Sequence, residues 1–244
     1  MKTNLIQLNY QLAFDSPFHF GTGLRSGLVH RSVAYDPEGY LYVPGSTLKG
    51  VLRQQVGSFA QLFGIAIRDP HNIFGDLNEF SPQADITTLI FGSRYQPGTL
   101  YFDDALMNQE DRDVYDGAQT PKKYLQKQVE NRTQVSLSRL TRTARPGMLF
   151  SSEYGQRELH FNGQISGSLS GVPLISKPNV TYSLLLLIAA LMSLDRLGGG
   201  KSAGIGRANC TITALKVDSS IMDPTICVQE LGDLELFELA QEEA

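Results

Sequence analysis

Polar and apolar residues alternate with period two from Asn4 to Phe14, the pattern of a half-buried strand. From Asp15 to Gly39 the chain is rich in Gly, Ser, Arg and His with no stable period, which predicts a long loop of the kind that carries function. Leu41 to Val43 is a short strand stopped by the turn pair Pro44-Gly45. Leu48, Val51, Leu52, Val56, Phe59 and Phe63 then recur at helical spacing. They predict a helix over Ser46 to Phe63 with Ser46 as its N-cap. Thr99 to Ala105 predicts a strand running into a turn, and Glu158 to Gly167 another strand. Tyr182 to Leu197 is apolar nearly throughout and meets Gly198, which predicts a buried helix; Ala208 to Val217 alternates again.

Strand, helix, central strands, helix, strand is the order of a βαββαβ unit, an α+β ferredoxin-like (RRM-like) palm. No repeat or low-complexity linker divides the chain, so one domain over residues 1–244 is expected. The Leu184 to Met192 run is too short to span a bilayer, which needs about 20 residues. The N-terminus lacks a continuous apolar run. Two distant cysteines, Cys210 and Cys227, make neither a disulfide framework nor a Cys-based zinc site. A cytoplasmic protein with reduced thiols and no membrane partner is the expectation.

Charge changes the picture. The net charge is −4, so any nucleic-acid surface must be local. Pro121 to Pro146 supplies one: Lys122, Lys123, Lys127, Arg132, Arg139, Arg142 and Arg145 stand against Glu130 alone. The alternation from Thr133 to Leu140 inside this run predicts a projecting hairpin with basic flanks, around 120–146. Asp103 to Asp116 is acidic, as is the weakly amphipathic tail 231–244.

The four histidines, His19, His30, His71 and His160, show no metal-ligand spacing, and neither a nucleophile elbow nor an HExxH is present. His160 sits in a strand pattern. His19 and His30 share the early loop with Arg25 and Arg31, where an imidazole can take a proton from a ribose 2′-hydroxyl or give one to a 5′-oxygen. Lys49 and Arg53, four residues apart, share one helix face. Gly198 to Arg207 is not a Walker A loop, because the first glycine of that motif falls on Asp195. With Lys201, Ser202 and Arg207 it still lets backbone approach an anionic chain.

Pro44-Gly45-Ser46-Thr47-Leu48-Lys49-Gly50, followed by Arg53, resembles the signature of the RAMP superfamily of CRISPR-associated proteins, closest to the thumb-bearing backbone subunits of type III effectors. Phe18-His19-Phe20-Gly21-Thr22-Gly23 resembles their His-Gly motif. Leu89 to Gly92 and Leu100 to Ala105 resemble their Leu-Phe-Gly and Asp-Ala pieces. Arg139 to Phe150 is similar to the base of their thumb, and Gly198 to Arg207 to their glycine-rich loop. The matches occur in the family's order across residues 3 to 217.

The resemblance implies a palm with an inserted thumb that holds CRISPR RNA and its complementary target RNA among other effector subunits, in antiviral defence. It implies RNA contacts from His19, Arg25, Arg31, Ser46, Lys49, Arg53, Arg139, Arg142, Lys201, Ser202 and Arg207. Active type III backbone subunits carry an aspartate in the early loop that cuts target RNA with a divalent metal; in this register the position falls on His30. Asp36 is the nearest carboxylate, and Mg would serve only if target cleavage is metal-dependent; no other cofactor is expected. In fused single-chain type III effectors a histidine followed by arginine processes precursor CRISPR RNA, and His30-Arg31 lies at similar spacing. The alternatives are therefore a non-catalytic RNA-binding subunit and an endoribonuclease using His30. An ordinary RRM-like module would show paired aromatics in the RRM RNA-binding motif, which the sequence lacks.

Overall fold

The computed structural model describes residues 1–21, 23, 29–67, 85–93, 96–116, 126–177 and 179–237. Along the chain run β1 (Lys2–Phe14), β2 (Val29–Arg31), β3 (Tyr42–Val43), α1 (Gly45–Leu62), α2 (Ile86–Phe91), β4 (Leu100–Phe102), β5 (Ala105–Met107) and α3 (Gln109–Asp116). Then come β6 (Val129–Leu137), β7 (Ala144–Gly155), β8 (His160–Gly171), α4 (Tyr182–Met192), β9 (Ala208–Val217), β10 (Ser220–Ile221) and α5 (Pro224–Gln229).

The main sheet has the order β10-β9-β1-β8-β5-β3, with β4 also paired to β8. β1 and β8 pair antiparallel from Lys2↔Gly171 to Ala13↔His160, and β9 pairs β1 on its other side. With α1 between β1 and β4/β5, and α4 between β8 and β9, this is the expected ferredoxin-like α+β palm. Period two in β1 does the sorting. Ile6, Leu8, Tyr10, Leu12 and Phe14 are buried toward the helices, while Leu5, Gln7 and Asn9 face outward. Leu48, Leu52, Val56 and Ala60 of α1 and every residue of α4 from Tyr182 to Leu191 complete the core.

Three expectations are corrected. The first concerns Ser46, which is not the cap of α1. The helix starts one residue earlier, after Pro44, with no side-chain cap of its own, and Ser46 is exposed. Its first N–H, on Gly45, is instead accepted by Asp104 Oδ1 at 2.7 Å, from the turn between β4 and β5. Secondly, α4 ends at Met192, short of Leu197. Beyond it, the Leu197 and Ala208 N–H groups donate to Gly206 O and Asp195 O, and Arg196 bridges to Arg207, so the segment is drawn extended along the start of β9. Finally, the early loop is not structureless: Phe18 bridges Gly155, Gly21 bridges Val33, and β2 pairs parallel with β7. Pairings this short, most of them to partners more than a hundred residues away, leave no period to read.

β6 and β7 form a hairpin in register from Val129↔Gly155 to Leu137↔Ala144, with a bulge between Val135 and Leu137. Its root is buried: an added Cβ on Gly155 would lie 2.3 Å from the Phe18 ring. The segment 120–125 and the tail residues 238–244 lie outside the described residues, as does Arg25. Before the tail ends, Leu234 and Phe237 are buried, with Phe237 edge-on to Tyr182 at 5.2 Å. No described helix is long and apolar enough to cross a membrane.

Candidate nucleic-acid interface

The root of the hairpin gathers three segments. His19 Nδ1 donates to the carbonyl of Glu153 at 2.8 Å, and its own carbonyl accepts the N–H of Gly199 at 2.9 Å. The Glu153 carboxylate accepts the N–H of Val33 at 3.1 Å. His19 thus sits between the hairpin and the glycine-rich loop, with the Tyr154 ring 5.7 Å from its own. Glycines make the room: an added Cβ on Gly21 would fall 2.8 Å from His19 Nε2, and one on Gly198 2.7 Å from the His19 carbonyl. A carbonyl only accepts, so Nδ1 carries a proton and Nε2 is the nitrogen left for a ligand.

The backbone of His30 lies in β2, beside Ser151 and Ser152 of β7. Its side chain is outside the described residues; Arg31 next to it is exposed. The structure therefore brings the His19 and His30 segments to the same hairpin root. Burial, reinforced by the Glu153 carboxylate, pushes the Tyr35 phenol up to about 12.

The glycine-rich loop makes a 3-10 turn over Lys201–Ala203, with Gly200 and Gly204 in the left-handed region at either end. Gly206 is positive in φ, and a Cβ there would lie 2.0 Å from the Leu197 carbonyl. The loop is held by Arg196, which donates to the Lys201 carbonyl at 2.9 Å. Lys201 is half-buried, Ser202 exposed, and Arg207 points to solvent 3.9 Å from Asp15. Lys201 and Arg196 border a groove whose other wall is Gln54, Gln55 and Ser58 of α1.

Lys49 and Arg53 do not line that groove. Helical period places them on the opposite flank of α1, where Lys49 Nζ lies 5.6 Å from the Phe102 ring centre. At the far end of the hairpin Arg139, Arg142 and Arg145 are exposed, with Arg142 in the turn at φ 54°. Val135, Leu137, Leu140 and Leu149 beside them are 46 to 94% exposed, a share of apolar surface that a solvated hairpin does not need.

Asp36 is committed elsewhere. Its Oδ1 accepts the N–H groups of Glu38 and Tyr40, and its Oδ2 pairs with Arg112 at 3.1 Å in a site where the carboxylate is 7% exposed. Arg112 also bonds Glu38 and lies 4.7 Å from the Tyr40 ring centre, and Tyr40 donates to Asp116. The acidic α3 is thereby clasped to the 35–41 turn. His160 is held by Asp111 through both its N–H and Nδ1. Among the described residues no group of three or more His, Cys, Asp or Glu is placed to hold a metal ion. Glu153 has no signature in the sequence, because it acts on a segment far away in the chain; Asp104 lies in the Asp-Ala piece of the resemblance, but nothing local marks it as the acceptor for the Gly45 N–H.

The family model of the RAMP superfamily matches residues 11–209. No curated protein matches the chain significantly. A cryo-EM structure of the type III-B Cmr-beta bound to cognate target RNA contains a chain of similar fold, 12% identical, covering 84% of this chain and 96% of that one at a TM-score of 0.56. A second, of the type III-B Cmr-beta in the apo state, is 11% identical over 85% and 97% at a TM-score of 0.57. At such identities the likeness is one of fold.

Proposed function

Because the chain belongs to the RAMP superfamily, we propose that it is a CRISPR RNA-binding backbone subunit of a type III effector complex, holding the guide and its complementary target RNA in antiviral defence. The observation that carries this reading is where the unneutralised cations stand. Lys49, Arg53, Arg139, Arg142 and Arg145 have no carboxylate partner among the described residues, in a chain of net charge −4. Charges left open on one helix flank and one projecting hairpin suit a phosphate backbone, which is gripped without reading its sequence. The exposed Val135, Leu137 and Leu149 give the hairpin an apolar edge to press against unstacked bases. The similar fold found in a complex bound to cognate target RNA supports the same reading. A cytoplasmic assembly with other effector subunits follows from it. The test is the nucleic acid that accompanies the protein from cells: ribonuclease-sensitive, deoxyribonuclease-resistant material supports the proposal, and protein free of RNA under low-salt purification contradicts it.

A second reading is favoured by the position of His30-Arg31 on the hairpin root beside His19. In it, the histidine takes the 2′-hydroxyl proton, the 2′-oxygen attacks the adjacent phosphorus, and the 5′-oxygen leaves with a proton. A 2′,3′-cyclic phosphate and a 5′-hydroxyl result. This needs no metal, so the assay is run in EDTA on precursor and target RNA. A cut lost in His30→Ala supports it; no cut by the wild-type chain removes it.

A further inference from the structure

At the root of the hairpin an aromatic ring faces solvent. Tyr35 is 40% exposed, while Phe18, Phe20, Tyr40 and Tyr154 around it are 6% exposed or less. Exposure of a single tyrosine is ordinary in itself. Its orientation is not. A surface tyrosine buries its ring and leaves its hydroxyl in water. Here burial, with the Glu153 carboxylate as the second cause, pushes the phenol up to about 12. The hydroxyl is therefore the end turned into the protein, and the ring is what solvent meets. That arrangement leaves apolar surface wet until a flat partner covers it.

The ring is also held in place. On one side of it the Ala34 N–H donates to the Phe20 carbonyl at 2.8 Å; on the other the Asp36 N–H donates to the Tyr40 carbonyl at 2.8 Å. Tyr35 itself bridges Leu41, and the Val33 N–H is accepted by Glu153. Backbone fixed on both sides spares the entropy of ordering a loop on binding. The surroundings select the partner. Glu153 joins Tyr35 to His19, whose Nε2 is an open acceptor, and the exposed Arg31 lies where β2 meets β7. A ring face, an acceptor for a hydroxyl and a guanidinium complement the base, ribose and phosphate of a nucleotide. The carboxylate of Glu153 keeps phosphate itself away from the phenol, so the part that meets Tyr35 is the base. The cations of α1 and of the hairpin grip a backbone, and the hairpin's exposed apolar edge of Val135, Leu137 and Leu149 is aliphatic, so neither offers a face on which a base can lie. Resting on the RNA-binding reading above, we propose that Tyr35 is the stacking platform for one base of the bound RNA, beside His19 and Arg31 at the root of the hairpin.

The experiment titrates single-stranded RNA into the full-length chain, freed of cellular nucleic acid, at several salt concentrations. Wild type, Tyr35→Ala and Tyr35→Phe are compared. Losing the ring should weaken binding about fivefold or more. Stacking releases no counterions, so the factor should be the same at every salt concentration, unlike the loss of a cation. Tyr35→Phe keeps the ring and should bind within about twofold of the wild type. In the same RNA, 5-iodouridine should crosslink on irradiation to the peptide that holds Tyr35. Tyr35→Ala with wild-type affinity overturns the inference and leaves RNA binding standing. So do equal losses in the two variants, which assign the effect to the hydroxyl, and crosslinks confined to other peptides. A wild type that binds no RNA refutes the RNA-binding reading and this inference with it.

Discussion

The Nδ1 of His19 lies 2.8 Å from the carbonyl oxygen of Glu153, and this bond ties the early loop to the root of the hairpin. It also fixes the ring so that Nε2 is the free nitrogen, between Gly21 and Gly199. His19→Ala should therefore weaken RNA binding. With the proton on Nδ1, Nε2 accepts, as from a ribose 2′-hydroxyl, and one such hydrogen bond is worth about 0.5–1.5 kcal/mol, roughly two- to tenfold in affinity. Fluorescence anisotropy with a labelled single-stranded RNA measures it. Unchanged affinity would show that the imidazole braces the hairpin and does not meet the ligand.

The start of α1 depends on a residue nearly sixty positions away. Asp104→Ala removes the acceptor for the Gly45 N–H and should cost about 1 kcal/mol, about 2–4 °C in Tm for a domain of this size. Gly45→Ala should cost more, because its Cβ would stand 2.1 Å from the Phe102 carbonyl and force helix and strand apart. Thermal unfolding followed by circular dichroism ranks the two; an alanine at 45 that leaves Tm unaltered would refute the packing.

Tyr40 links the acidic helix to the 35–41 turn. Burial, then the hydrogen bond to Asp116, pushes its phenol from 10.0 to about 12. The folded state thus favours the neutral phenol. The stability this contributes is present below pH 10 and is lost as pH rises from about 10 through 12. Tyr35 adds a loss in the same window. Alkaline unfolding should begin above about pH 10 together with phenolate absorbance, and Tyr40→Phe should flatten that limb while lowering stability at neutral pH. Phenolate appearing well before any loss of structure would contradict the assignment.

Burial likewise pushes the Cys210 thiol up to about 12. At neutral pH almost no thiolate is present, so alkylation at Cys210 should be slow in the native chain and fast once it unfolds. Peptide mass mapping reads this site alone. Rapid native labelling would mean that β9 opens locally.

The parts of the fold legible in the sequence are those whose period is long enough to count. Thirteen residues of β1 and the apolar stretch of α4 stand out, and their order implies the palm. The end of α4 does not, because Ser193 to Leu197 keeps helix-forming residues while its backbone is claimed by Gly206 and Ala208. Ser46 suits a cap by type and position, but Asp104 takes the first N–H of the helix instead. At the proposed interface, the exposure of the hairpin arginines and the shared flank of Lys49 and Arg53 follow from charge and spacing. The placing of Lys201 and Lys49 on opposite flanks of α1 does not, since it depends on which face of the helix the core takes.

The central claim is that the unpaired cations of α1 hold an RNA backbone. The most direct measurement is the affinity of the Lys49→Glu, Arg53→Glu double variant for single-stranded RNA as a function of salt, with its fold checked by circular dichroism. A folded variant should bind much more weakly. Its dependence of log affinity on log salt should be shallower by about 0.7 for each phosphate that is no longer neutralised. A folded variant with the affinity and salt slope of the wild type would contradict the account.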